Sequence, residues 1–303
     1  MFYGVEYVEI GQPTLDQLRI FLAVADEGSF NRAARKLGRA LSVVSYGISA
    51  LESQLGVSLF DREGSRKPVL TEAGRALLTD ARAVADEADG LVARARGIRQ
   101  GLETEVGLAV DVMVPSSTVA GVLRDFQEAF PTVNLRLHVE ALGAVAALVL
   151  DKRADLAIAG PDILDLPELE RRAVGSVELL PVAAPGHPLA QLPQIAPGET
   201  RQHLQLVLAD RSPLTEGREF SVLSSRTWRL ADLGAKHALL LEGIGWGNMP
   251  RHTVLEDLSA GRLVALCLPE APQIHYQLHA LWRKDSRPGP ATTWMLDALI
   301  ERC

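Results

Sequence analysis

The chain has 303 residues, 47% of them hydrophobic and 23% charged, which allows about two well-buried domains and excludes a disordered or collagen-like polymer. Its longest apolar run, LGAVAALVL from Leu142, falls short of the ~18 residues of a membrane span, and two cysteines, Cys267 and Cys303, cannot form a disulfide framework. The net charge of −7 opposes nucleic-acid binding by the chain as a whole, but residues 28–67 carry seven bases against three acids, and residues 101–303 eighteen against twenty-five.

That asymmetry reads as a basic binding module on an acidic body. The opening MFYGVEYVEIGQP holds two acids and no base, unlike the front of a secretory signal, so a cytoplasmic location is expected. Thr14-Leu15-Asp16-Gln17 has the spacing of a capping box, and Leu15, Leu18, Phe21, Leu22 and Ala25 follow at helical intervals. Gly28 ends this helix and Ser29 caps the next, whose Phe30, Ala33, Ala34 and Leu37 form a narrow face of mostly small residues. After Gly38, a third helix repeats Val44, Ile48, Leu51 and Leu55 at intervals of four, three and four, a buried stripe. Two short helices joined at a glycine behind a supporting helix are a helix-turn-helix pattern. VSLF, DREGSRKP and VLT then read as two small strands around a basic turn, the wing of a winged helix.

Thr71 caps a long helix in which Leu77, Ala81, Val84, Ala88, Leu91, Ala95 and Ile98 alternate steps of four and three, a seam suited to a partner helix. From Glu105 the period changes to strand and helix in alternation: Val106–Val112, a helix after Pro115, Val133–Val139, a helix over Leu142–Leu150, and the buried strand ADLAIAG. Further strands are expected at Leu179–Ala184, Leu206–Ala209, Arg262–Leu268 and Ile274–Trp282, with helices at Ala231–Glu242, Pro250–Leu258 and Thr292–Arg302. The pattern implies an α/β layer with a mainly parallel sheet.

TLDQLRIFLAVADEGSFNRAARKLG, SVVSYGISALESQLGVSLFDR and LTEAG, in this order and spacing, closely resemble the LysR-type transcriptional regulators. The resemblance is looser beyond Val106, resting on the sheet pattern and on GHPLA, LEGIGWGNMP and AGRLV. It implies a multidomain α/β protein: a winged helix-turn-helix over residues 14–71, a linker and dimerisation helix over 72–100, and a periplasmic-binding-protein-like effector domain over 101–303. That domain would comprise one α/β subdomain of about 101–163 plus 271–303 and a second of about 164–270, joined by crossing strands. The implied partners are double-stranded promoter DNA, a small-molecule effector, a carboxylate among the options, a second copy in a dimer or tetramer, and RNA polymerase as a further candidate. Residues 1–13 precede the usual start of such chains. Ala40-Leu41 stand where the family often has Ser-Gln, and Tyr46-Gly47 where it commonly has a base.

With the stripe of the third helix turned inward, Ser42, Tyr46, Ser49 and Ser53 face outward, Ser45 flanks them, and Val43 or Ala50 is placed to touch a thymine methyl. Phosphate contacts are expected from Arg32, Arg35, Arg39, Arg62, Arg66 and Lys67, with Arg66 the candidate for the minor groove. For the effector, Ser116, Ser117 and Thr118 at a helix start, Pro161 after the buried strand, Ser212 and Thr215 opposite, and Trp246 and Asn248 over the cleft are the candidates. No cofactor, metal or catalytic group is expected. GIGWG lacks the strand–helix setting of a dinucleotide loop, His275 and His279 lie over ~10 Å apart on one strand, and His187 reads as a turn residue. The rival readings are a DNA-binding repressor with a vestigial cleft and an α/β enzyme with an N-terminal interaction module.

Overall fold

The computed structural model describes residues 11–61, 67–161, 166–209, 212–271 and 274–302. They form two compact units, Met1–Arg96 and Gly97–Cys303.

In the first unit, helix α1 (Leu15–Glu27) opens with the expected capping box: Gln17 N–H donates to Thr14 Oγ1 and Thr14 N–H to Gln17 Oε1. Helix α2 (Phe30–Leu37) is capped by Ser29 and stops at Gly38, whose φ of 67° is the left-handed turn that aims helix α3 (Leu41–Leu55). Val44, Ile48 and Leu51 of α3 are fully buried against Ile20, Phe21 and Val24 of α1, each such side chain contributing about 1.5–3 kcal/mol by leaving water. Gly47 stands at the α1 crossing, where an added Cβ would lie 2.7 Å from Ile20 Cδ1, so any side chain there requires the end of Ile20 to move. Strands β1 (Phe60–Asp61) and β2 (Val69–Leu70) pair antiparallel. Glu52 ties α3 to this wing by accepting from Leu59 and Phe60 N–H at 2.8 and 3.2 Å. Thr71 caps helix α4 (Glu72–Arg99), its hydroxyl accepting from Gly74 N–H.

The second unit is built on one nine-stranded sheet. Strands β3 (Glu105–Asp111), β4 (Asn134–Glu140) and β5 (Leu156–Ala159) run parallel, with α5 (Ser116–Ala129) and α6 (Gly143–Leu150) as crossovers. At the other end, β7 (Gln205–Leu208) is parallel to β8 (Thr227–Leu230) and β9 (Trp246–Pro250), with α8 (Leu233–Leu241) and α9 (Arg251–Ser259) beside them. Two long antiparallel strands, β6 (Leu169–Ala183) and β11 (Ile274–Arg283), join the halves: β11 also pairs with β5, while β6 pairs with β9 and with β10 (Val264–Ala265). Short helix α7 (Pro188–Gln191) and C-terminal α10 (Pro290–Arg302), which packs on α5, complete the unit.

Three expectations are corrected here. No strand was expected around Trp246, where β9 lies buried along its whole length. Strand β8 and the first ten residues of β6 were not expected, because β8 is only four residues long and the exposed stretch of β6 is largely polar. The strand expected over Arg262–Leu268 shrinks to Val264–Ala265.

Candidate nucleic-acid interface and ligand cavity

All of Ser42, Val43, Ser45, Tyr46, Ser49 and Ser53 are exposed on α3, as its inward stripe dictates. Tyr46 is 76% exposed and Leu41, at the first turn, 43%, so the outward face mixes hydroxyls with apolar groups and bears no charge. The charges lie beside it, and most are engaged. Nη1 and Nη2 of Arg39 each donate to Asp16 of α1 at 2.6 Å, which holds the Asp16 carboxyl below its ordinary pKa. Lys36 pairs with Glu27 at 3.0 Å and lowers its pKa in the same way, and Arg32 donates to the Glu27 carbonyl. Arg35 is exposed with no ion pair among the described residues. Lys67 is exposed at the wing, whereas Arg62 and Arg66 lie outside the described residues.

The seam of α4 divides along its length. Leu77 and Ala81 pack on the core of the first unit, where Arg82 also pairs with Asp26 of α1 at 2.6 Å. Ala88 is half-buried, while Val84, Leu91, Ala95 and Ile98 are exposed, Leu91 by 63%.

In the second unit a cavity of about 270 Å³ lies where the halves meet. Met113, Leu142 and Pro161 line it from the first half, Gln205, Lys236 and Asn248 from the second, and Tyr276 from the joining strand β11. An adjoining cavity of about 460 Å³ is lined by Ser212, Thr215, Arg218 and Arg229 and shares Phe220 with the first. Tyr276 Oη donates to the buried Asp111 at 2.8 Å, fixing the end of β3 against β11, and Asp111 accepts from Met113 N–H at 2.9 Å. The amide of Gln205 is spent on the wall: its nitrogen donates to Ser221 O, and its oxygen accepts from Leu223 and Ser224 N–H.

Pro161, Ser212, Thr215 and Asn248 therefore line cavities, and four other expected residues do not. Ser116, Ser117 and Thr118 begin α5 but line neither space. Trp246 is 0% exposed, packed with Ala183, Leu189, Ile195, Leu266 and Leu268 in a separate cluster. The flanking glycines mislead here: Gly245, with φ 72°, ends a turn, and Gly247 lies in a strand where another element comes close. His187 is a turn residue, as expected, its N–H donating to Ala184 O at 3.0 Å, and it is buried; it caps α7 by accepting from Leu189 N–H, and burial lowers its pKa.

The residue that sequence reasoning missed is Lys236. It is 3% exposed on α8, and its Nζ donates to Asn248 O at 2.7 Å. Its spacing held the signal, since Leu233, Lys236 and Leu240 follow at i, i+3 and i+7, the inward stripe of the helix. His275 and His279 stand on β11, and no group of three metal-ligating side chains forms among the described residues. Nor, among those residues, is any helix long and apolar enough to cross a membrane.

Residues 15–75 match the family described as bacterial regulatory helix-turn-helix protein, lysR family, and residues 99–303 the LysR substrate binding domain. The chain is 32% identical to the probable HTH-type transcriptional regulator YhaJ of Escherichia coli K12, over 93% of this chain and 94% of that one. Among solved structures it is similar to Neisseria meningitidis CrgA, a LysR-type transcriptional regulator, with TM-score 0.52 and 22% identity over 96% and 99% of the two chains. It is also similar to Vibrio fischeri DarR in complex with DNA, with TM-score 0.50 and 19% identity over 96% and 100%.

Proposed function

From the chain's membership of the LysR family of DNA-binding transcriptional regulators with an effector-binding domain, we propose how its parts divide that work. Residues 14–71 bind promoter DNA, 72–100 pair with the same helix of a second copy, and 101–303 sense a small molecule, in the cytoplasm. The outward face of α3 enters the major groove, where serine and tyrosine hydroxyls meet base edges and Leu41 and Val43 meet thymine methyls. Arg32, Arg35, Lys67 and the ion-paired Arg39 bind phosphates, together with Arg62 and Arg66 of the wing. The exposed run of Val84, Leu91, Ala95 and Ile98 supports pairing along α4 in a dimer or higher assembly.

The observation that carries the effector reading is the cavity between two half-domains that β6 and β11 join in the sheet. A ligand there touches both halves, so it favours whichever arrangement fits it better, and that difference in affinity is what shifts the DNA-bound form. Footprinting of the full chain on its promoter, with and without small molecules that raise its melting temperature, tests this. The expected result is a footprint that changes length or bending with the ligand. An unchanged footprint alongside changed transcription would overturn it.

A further inference from the structure

Lys236 is a cation that the fold takes unusual steps to bury. Its stem runs past Gly247, where an added Cβ would lie 3.0 Å from Lys236 Cε and 2.6 Å from Leu206 O, so any larger residue at 247 would collide with the lysine or the neighbouring strand. Its head reaches the cavity wall and spends one proton on the Asn248 carbonyl, which leaves two N–H groups for another acceptor.

Among the described residues, no side chain supplies the missing charge. Burial alone lowers the ammonium pKa, to about 8, so the group is charged at neutral pH without a balancing carboxylate. The carboxylate that shares the cavity, Glu219, is already paired with Arg229. A buried charge without a partner is costly, and removing water from a charged group repays only when an opposite charge arrives. The rest of the wall is largely apolar, from Met113, Leu142, Leu179, Leu206, Phe220 and Ile274. The volume lies just below the ~300–1,000 Å³ typical of sites for drug-sized ligands.

Resting on the reading of this cavity as the effector site, we propose that the effector is a small organic monocarboxylate whose carboxylate docks on Lys236 and whose apolar body fills the cavity. The anchor therefore lies in the second half-domain, on the sheet side of α8, and not at the start of α5.

The test is a thermal-shift and calorimetric screen of the full chain against short-chain and aromatic monocarboxylates, their primary amides, and amines of matched shape. The same screen is run on Lys236→Gln, which can still donate to Asn248 O, and on Lys236→Met. The expected result is that one or more monocarboxylates stabilise the wild type, that the matched amides do not, and that either variant loses about 10- to 100-fold in affinity. Retention of DNA binding by at least one variant shows that the loss is local. Equal carboxylate binding by wild type and both variants would overturn the anchor, as would a wild type that answers amides or amines and no carboxylate. In those cases the cavity is still a ligand site; a wild type that no compound of any charge stabilises removes the effector reading itself, and this proposal with it.

Discussion

Around α3, Arg39 and Lys36 rest on the exposed carboxylate of Asp16 and the partly exposed one of Glu27, whereas Lys236 is buried and, among the described residues, has a backbone carbonyl as its hydrogen-bond partner. The first arrangement is cheap to make and to undo, because exposed ion pairs contribute little and a phosphate can take the place of a carboxylate without new desolvation. The second is expensive until an anion enters. The surface thus stores its cations where they exchange partners readily and set register on a polyanion, while the interior holds one where a single small anion is strongly favoured. If this contrast is right, changes at Lys236 alter the second unit by several kcal/mol, and changes around Arg39 alter affinity by factors of a few.

The largest effect is expected from pH. The folded-state pKa of Lys236, about 8, lies below its ordinary value of 10.5, and burial is the cause. Below about pH 8 the amine is protonated in both folded and unfolded chains, and burying its charge is a cost. Between pH 8 and 10.5 the unfolded chain still holds the proton that the folded chain has released, so stability rises with pH, by on the order of 3 kcal/mol across the window. All four tryptophans, Trp228, Trp246, Trp282 and Trp294, lie in the second unit, so denaturant unfolding followed by tryptophan fluorescence reports it directly. The difference between wild type and Lys236→Gln should grow in favour of the wild type over that range. A constant difference would mean that the lysine pays no burial cost, and the contrast between surface and interior would fail at its interior end.

A middle-sized effect should sharpen the other end. Leu41 stands at the first turn of α3, on a face without any bidentate hydrogen-bonding group. Leu41→Gln adds one that can pair with adenine, for ~1–3 kcal/mol of discrimination at one position. Selection from randomised duplexes should return a narrower consensus for the variant than for the wild type, with nonspecific affinity unchanged. An identical consensus would place Leu41 away from the base edges.

The two regions were unequally legible in the sequence, for physical reasons. Three short helices cannot hide their stripe: Val44, Ile48 and Leu51 repeat because a small domain must bury one face of each helix, and Thr14, Gly28 and Gly38 mark the ends. The cavity is assembled from distant pieces that local patterns do not connect, such as Asp111 with Tyr276, 165 residues apart in sequence. Strand β9 was hidden because Gly245 and Gly247, which make room for Leu204 and Lys236, look locally like a loop. The polar first half of β6 was hidden because a strand joining two half-domains is open to solvent along that stretch. Lys236 was legible in principle, as a charge on the apolar stripe of α8, but one lysine in a helix is ordinarily a solvated one.

The smallest effect decides what Arg39 is for. Its two hydrogen bonds to Asp16 at 2.6 Å either store a phosphate-binding group or brace the turn before α3 against α1. Asp16→Asn separates the two, since it removes the charge that competes with phosphate and keeps the size of the side chain. The Asp16 pKa is lowered mainly by the Arg39 hydrogen bond, so the pair supports folding above the ordinary carboxylate range and loses that support as pH falls through the lowered value; at neutral pH the exposed pair adds little stability. If Arg39 is held for phosphate, Asp16→Asn should tighten binding to all duplexes a few-fold at low salt and steepen the slope of log affinity against log salt by about 0.9, the release expected for one further phosphate contact. Uniform weakening with an unchanged slope would assign the pair to bracing. The cations that exchange partners would then reduce to Arg32, Arg35, Lys36 and the wing, because α3 could dock only while Arg39 stays on α1.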